Sequence, residues 1–149
     1  MRIISKKTKY GLTALYSLAR SYGSGPVMVP TLAHQGGIPE KSLEQILLVL
    51  KIGGIVRSKA GRGGGYQLTK PPDQITIGSV IRIIEGPLAP LPCASETAYR
   101  PCEECPDPEE CGTRLLMRQV RDATAHILDR TTLADVCRMV DKKKAVLPL

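Results

Sequence analysis

The chain has 149 residues, enough for one domain with a sizeable core plus an appendage, or at most two small lobes. It lacks Trp and Phe, which leaves the core to Leu, Ile, Val, Ala and five Tyr, and no apolar run approaches the roughly 20 residues of a membrane span. The net charge of +7 sits entirely in the first half: residues 1–72 hold eleven Lys or Arg against Glu40 and Glu44, while residues 73–149 hold ten against twelve acids, so an anionic partner such as nucleic acid belongs to the N-terminal half.

Ser5 or Thr8 can cap a first helix running to about Tyr22, with Leu12, Leu15, Tyr16, Ala19 and Tyr22 on one face. Gly23 and Gly25-Pro26 stop it. A short second helix starts at Pro30, a residue suited to a first helical turn, and ends at Gly36-Gly37. The third, from Pro39 to about Ile52, turns Leu43, Ile46, Leu47 and Leu50 inward and leaves Lys41, Ser42, Glu44 and Gln45 at its exposed N-terminal end. Short helix, glycine turn and polar-tipped helix make a helix-turn-helix pattern. Glu44 in that position can accept from cytosine N4, where an ordinary surface acid would only be solvated.

Two β-type segments follow, Ile55 to Lys59 and Tyr66 to Thr69, joined by a glycine-rich turn whose surroundings Arg57, Lys59, Arg62 and Lys70 make positive. A phosphate-binding enzyme loop would set its glycines between a strand and a helix, with Lys-Ser or Lys-Thr at the end, and that context is missing. A basic hairpin after a helix-turn-helix is instead the wing of a winged-helix DNA-binding domain. Thr76 then caps a helix with Ile77, Val80, Ile81 and Ile84 inward, ended by Gly86-Pro87.

Four of the five cysteines lie between Cys93 and Cys111, spaced C-x8-C, C-x2-C and C-x5-C, and six of the twelve prolines fall between Pro87 and Pro108. No regular element can order that stretch, whereas a thiolate-held metal can. The start of the chain carries Arg2, Lys6, Lys7 and Lys9 ahead of an amphipathic pattern rather than an apolar leader, so we expect a cytoplasmic location, where structural disulfides are rare. The uneven spacing suits an iron–sulfur cluster; zinc, or a metal-free thiol-redox loop, is the alternative.

Thr113 opens the longest polar helix, in which Leu116, Val120, Ala123 and Ile127 recur at intervals of four, three and four. Arg114, Arg118, Arg121, Asp122 and Arg130 leave that apolar stripe narrow, as in a two-helix dimer seam. Thr131 or Thr132 caps a last helix with Leu133, Val136, Cys137 and Val140 inward; Cys137 there reads as a small hydrophobe. No nucleophile, base and orienting group form a recognisable set, which argues against an enzyme. The expected organisation is a mainly α winged helix-turn-helix domain with a small β-wing over residues 1–86. A cysteine-rich loop over 87–112, helices over 113–141 and a flexible tail over 142–149 complete it.

Several of these residues carry a resemblance. The opening Met1 to Leu12, Gly37-Ile38-Pro39, Leu43-Glu44-Gln45-Ile46-Leu47, Gly53 to Ser58, the wing ending Gly64-Gly65-Tyr66-Gln67-Leu68 and the cysteine loop together resemble the IscR-type family of bacterial winged-helix regulators, which includes the NsrR and CymR groups. The resemblance covers residues 1 to about 140. It implies a homodimer that binds double-stranded operator DNA and, in cluster-bearing members, an iron–sulfur cluster of two or four irons held by three cysteines per subunit. Cys93, Cys105 and Cys111 fall where those three fall, and Cys102 is an extra thiol. IscR has a histidine three residues after the last cysteine where this chain has Arg114, so Cys102 is the candidate fourth ligand. The wing arginine of many relatives corresponds to Ala60; Arg62, two residues on, can reach a narrow minor groove in its place. The DNA-binding set is then Lys41, Ser42, Glu44, Gln45, Arg57, Lys59 and Arg62.

Overall fold

In a computed structural model that describes residues 4–146, Ser5 opens α1 (Lys6–Arg20) by accepting the Thr8 N–H at 3.2 Å. Leu12 and Leu15 are buried and Tyr16 and Ala19 pack against the core, but α1 ends two residues before Tyr22, which is 47% exposed. Ala14 and Leu18 fill the face in its stead. Helix α2 (Val29–Gly36) carries Pro30 in its first turn and closes on Gly37, whose φ of 60° is left-handed and costs a glycine little. Helix α3 (Glu40–Ile52) buries Leu43, Ile46, Leu47 and Leu50, the four positions its periodicity predicts.

The wing is β1 (Val56–Lys59) paired antiparallel with β2 (Gly65–Leu68), in a register that sets Val56 opposite Leu68 and Lys59 opposite Gly65. Sequence periodicity misses a further tie. Val27, just before α2, exchanges both backbone hydrogen bonds with Tyr66 at 2.8 Å, so the hairpin is pinned to the helix-turn-helix. A side chain on Gly65, at φ 139°, would collide with the Val27 carbonyl.

Thr76 caps α4 (Ile77–Glu85), which buries Ile77, Val80 and Ile81, while Ile84 packs half-buried over Gly11. At its last residue, Glu85 accepts from the Ser5 N–H at 2.7 Å and the Thr8 hydroxyl at 2.5 Å, tying α4 to the start of α1. Helix α5 (Gly112–Arg130) stands largely outside this body, and Arg121 is its buried residue. Helix α6 (Leu133–Val146) returns to it: Thr132 and Asp135 cap each other's N–H, Leu133 is fully buried in the core, and Arg20 reaches Asp141 at 3.0 Å.

Leu133 N–H to Ile75 O and Ile77 N–H to Thr131 O stitch the start of α6 onto the N-terminal body. Residues 142–146, expected in a flexible tail, continue α6 through three lysines, whose positive charge suits a helix C-terminus. Val140, expected inward, is 41% exposed. The architecture is the mainly α, winged helix-turn-helix arrangement that the pattern of elements implies.

Candidate DNA interface and cysteine cleft

At the tip of α3, Lys41, Glu44 and Gln45 are exposed and Ser42 is half-buried, because Leu43, Ile46 and Leu47 claim the opposite face. On the wing Arg57, Lys59 and Arg62 are exposed, and Arg57 and Lys59, two residues apart, share a strand face. Among the described residues none of Lys41, Arg57, Lys59 and Arg62 has a carboxylate partner, so their charge is available to an external anion. Arg57 sits on the wing's flank rather than at its tip, lining a shallow cleft with Tyr22 and Gln67.

The loop between α4 and α5 contains one short 3-10 turn, Pro92–Ala94, and is otherwise irregular. Cys93, Cys102, Cys105 and Cys111 all line one open cleft of about 530 Å³, together with Tyr99 and Arg114. Cys102 is exposed and the other three are half-buried; all are free thiols. Cys105 N–H donates to the Cys102 carbonyl at 3.3 Å, turning the C-x2-C segment back on itself. Cys111 caps α5, its sulfur accepting the Arg114 N–H at 3.5 Å. Desolvation, then the charge and hydrogen bond of the neighbouring Cys111 thiol, push the Cys105 thiol above its ordinary pKa.

Two arginines that sequence reasoning placed on the polar face of the long helix hold this loop. Arg114 donates from Nε to the Cys93 carbonyl at 2.9 Å and from Nη1 to the Pro108 carbonyl at 3.1 Å, and its guanidinium lies 5.6 Å from the Tyr99 ring centre. Arg121, with its side chain 9% exposed, donates from Nη1 to the Ala94 carbonyl at 2.6 Å. Their seven-residue spacing, two turns of one helix face, was the available signal.

The donor set suits a thiophilic metal or an iron–sulfur cluster, since four uncombined thiols face one cleft and neither His34 nor His126 lines it. Among the described residues no three Cys, His, Asp or Glu side chains already stand in a geometry that would hold one ion. Cys137 lies elsewhere, on α6, its sulfur 3.9 Å from the Tyr16 carbonyl. Leu116, Val120, Ala123 and Ile127 run along α5, with Val120 half-buried, Ala123 exposed, Leu116 55% and Ile127 63% exposed, so the described residues leave most of the stripe uncovered.

A helix-turn-helix braced to a basic wing, with an accessory helix beyond it, defines a winged-helix DNA-binding regulator of transcription. The chain belongs to the Rrf2 family, whose model, described as an iron-dependent transcriptional regulator, matches residues 4–139. It is 38% identical to the transcriptional regulator CymR of Bacillus subtilis, over 93% of this chain and 91% of that one. The solved structure of CymR, the global cysteine regulator of B. subtilis, matches with a TM-score of 0.77 and 37% identity, covering 93% of this chain and 98% of that one. The structure of T. potens IscR matches with a TM-score of 0.74 and 30% identity, over 98% and 92% of the two chains. The family and these relatives are transcriptional regulators, not enzymes. No helix among the described residues is long and apolar enough to cross a membrane.

Proposed function

We propose that this regulator is a cytoplasmic repressor that works as a homodimer on a palindromic operator and reads iron–sulfur, redox or nitric-oxide status through Cys93, Cys102, Cys105 and Cys111. The observation carrying this reading is that all four thiols of the loop line one cleft at the root of α5. Cys93, Cys105 and Cys111 are the core ligands and Cys102 the fourth. A bound cluster supplies a centre whose charge and integrity change with oxidant, iron supply or nitric oxide. The chain's own part is to hold the thiols, and the start of α5, in one arrangement when the centre is present and to release them when it is lost.

The largely exposed stripe Leu116, Val120, Ala123 and Ile127 supports pairing of two α5 helices, which would set two recognition helices on successive half-sites about 34 Å apart. Lys41, Ser42, Glu44 and Gln45 then address the major groove, and Arg57, Lys59 and Arg62 the backbone and minor groove. Protein purified without oxygen tests the sensor: visible absorption with stoichiometric iron and sulfide supports it, and colourless protein holding stoichiometric zinc removes it. A second reading, a zinc or thiol-redox switch on the same loop, is favoured by the turned-back Cys102–Cys105 pair, whose spacing is that of dithiol motifs.

A further inference from the structure

We propose that Arg114 and Arg121 are positioning residues for the cysteine site, fastening the Cys93 end of the loop to α5, with Arg114 also keeping a fixed positive charge beside the thiols. The assignment rests on the reading of the loop as a metal-responsive thiolate site, and it deepens that reading by saying what aligns the ligands. A loop this rich in proline has few backbone hydrogen bonds of its own, so something else must satisfy its carbonyls. The two arginines do so at three points: Cys93 O and Pro108 O from Arg114, and Ala94 O from Arg121.

Burial makes the arrangement specific. The Arg114 and Arg121 side chains are only 13% and 9% exposed, whereas the carboxylates that reach them, Glu109, Glu96 and Asp122, are 79%, 74% and 64% exposed. Asp122 accepts from both Nε and Nη2 of Arg121 and pairs its charge, whereas Arg114 meets only the solvent-screened Glu109, which neutralises its guanidinium incompletely. Arg114 itself lines the cleft that the four cysteines share. A cation there compensates for several thiolates gathered in one place, a role an uncharged side chain could not take. The planar fork of Arg114 also reaches two carbonyls from opposite ends of the loop, Cys93 and Pro108, which a lysine ammonium on its flexible stem would not hold together. Arg114 thus stands in sequence where a relative has a histidine, yet acts on the backbone of the site rather than as a ligand.

The test uses the full chain, metal-free and anaerobic, as wild type and as Arg114→Gln, Arg114→Lys, Arg121→Gln and Arg121→Lys. Arg130→Gln is the control, an exposed residue of the same helix with no carboxylate partner among the described residues. Two readouts are taken: the rate at which iodoacetamide labels Cys93, resolved by mass spectrometry and read on the high-pH plateau where the thiol is ionised in every variant, so that it reports accessibility rather than charge, and cobalt(II) binding through the thiolate-to-metal charge-transfer band. Both glutamine variants are expected to label faster at Cys93 and to bind cobalt about ten-fold or more weakly, the usual loss when a residue behind a ligand is removed. Arg114→Lys should recover part of the cobalt affinity through charge while its Cys93 still labels fast, Arg121→Lys should label as fast as Arg121→Gln, and Arg130→Gln should match wild type. Cys93 labelling at the wild-type rate in the glutamine variants, with unchanged helical circular dichroism, overturns the assignment. If a glutamine variant loses helical content, its lysine counterpart decides by the same criterion. Absence of any thiolate-to-cobalt band in the wild type sinks the metal reading of the loop, and Cys93 labelling then decides the positioning role alone.

Discussion

Asp129 of α5 receives both Nη groups of Arg82 from α4, at 2.5 and 2.9 Å, directly over Gly78. A β-carbon at Gly78 would collide with that carboxylate, so the glycine makes the two-point pair possible. This pair ties the far end of α5 to the DNA-binding body, while Arg114 and Arg121 tie its near end to the cysteine loop.

The pair has a pH signature. The Arg82 hydrogen bond holds the Asp129 carboxyl below its usual range, and hydrogen bonds from Ser5 and Thr8 do the same for Glu85. Folded values lower than unfolded ones mean that the unfolded chain binds more protons in acid. The stabilisation is therefore complete above the ordinary carboxylate pKa of about 4 and disappears as pH falls through the depressed values. Thermal unfolding followed by circular dichroism should be insensitive to these groups from pH 7 to about 5 and lose stability below about pH 4. Asp129→Asn should cost no more than about 1 kcal/mol at pH 7, because both partners are over 40% exposed, and its deficit should shrink in acid. A deficit that grows with acidity would contradict the linkage.

Wing geometry depends on Gly65. Its φ of 139° and its contact with the Val27 carbonyl leave no room for a side chain, so Gly65→Ala should destabilise the protein by at least about 1–3 kcal/mol. Loss of hydrogen-exchange protection at the Tyr66 amide, with weaker operator binding, is the expected result. Unchanged protection would mean that the Val27–Tyr66 bridge does not brace the wing.

Operator binding separates two kinds of contact. Arg62→Ala should weaken specific binding by about 1–3 kcal/mol, and Lys41→Ala should weaken all sequences alike and lower the salt slope by about one. Footprinting and salt titration at fixed ionic strengths measure both. Operator affinity unaltered by Arg62→Ala at near-physiological salt takes that arginine out of the groove.

The α5 stripe makes an assembly prediction. Val120→Glu places a charge between exposed Leu116 and Ile127, and should leave a monomer in sedimentation with markedly weaker binding to the full operator. A dimer that survives Val120→Glu with normal DNA affinity puts the seam elsewhere.

If the proposed cluster is held as described, Cys93→Ser, Cys105→Ser and Cys111→Ser should each abolish the visible spectrum of anaerobically purified protein, since each would remove a ligand from one shared centre. Cys102→Ser should bleach or shift it, whereas Cys137→Ser, on α6 beside Tyr16, should leave it alone. A silent Cys102→Ser would make that thiol a spare and reopen the fourth position.

Much of this was written locally in the chain. The Ser5 and Thr76 caps, the buried positions Leu43, Ile46, Leu47 and Leu50, and the hairpin between Val56 and Leu68 all follow from spacings within a few residues. Helical and strand periodicity record which face is apolar, and caps and glycines record where an element ends. The clustering of the four cysteines was equally visible. What closed over long sequence separations was not: Val27 pinning Tyr66, α6 returning to bury Leu133 against the N-terminal body, and Glu85 closing on Ser5 and Thr8. Such contacts leave no periodic trace, because backbone hydrogen bonds and single polar partners can be made by almost any residue. Arg114 and Arg121 show the limit most clearly. As letters they belong to a solvated helix face with Arg118 and Arg130, and only the Pro-rich loop folding over them, with its unsatisfied carbonyls, turns two surface charges into the buried clamp of the cysteine site.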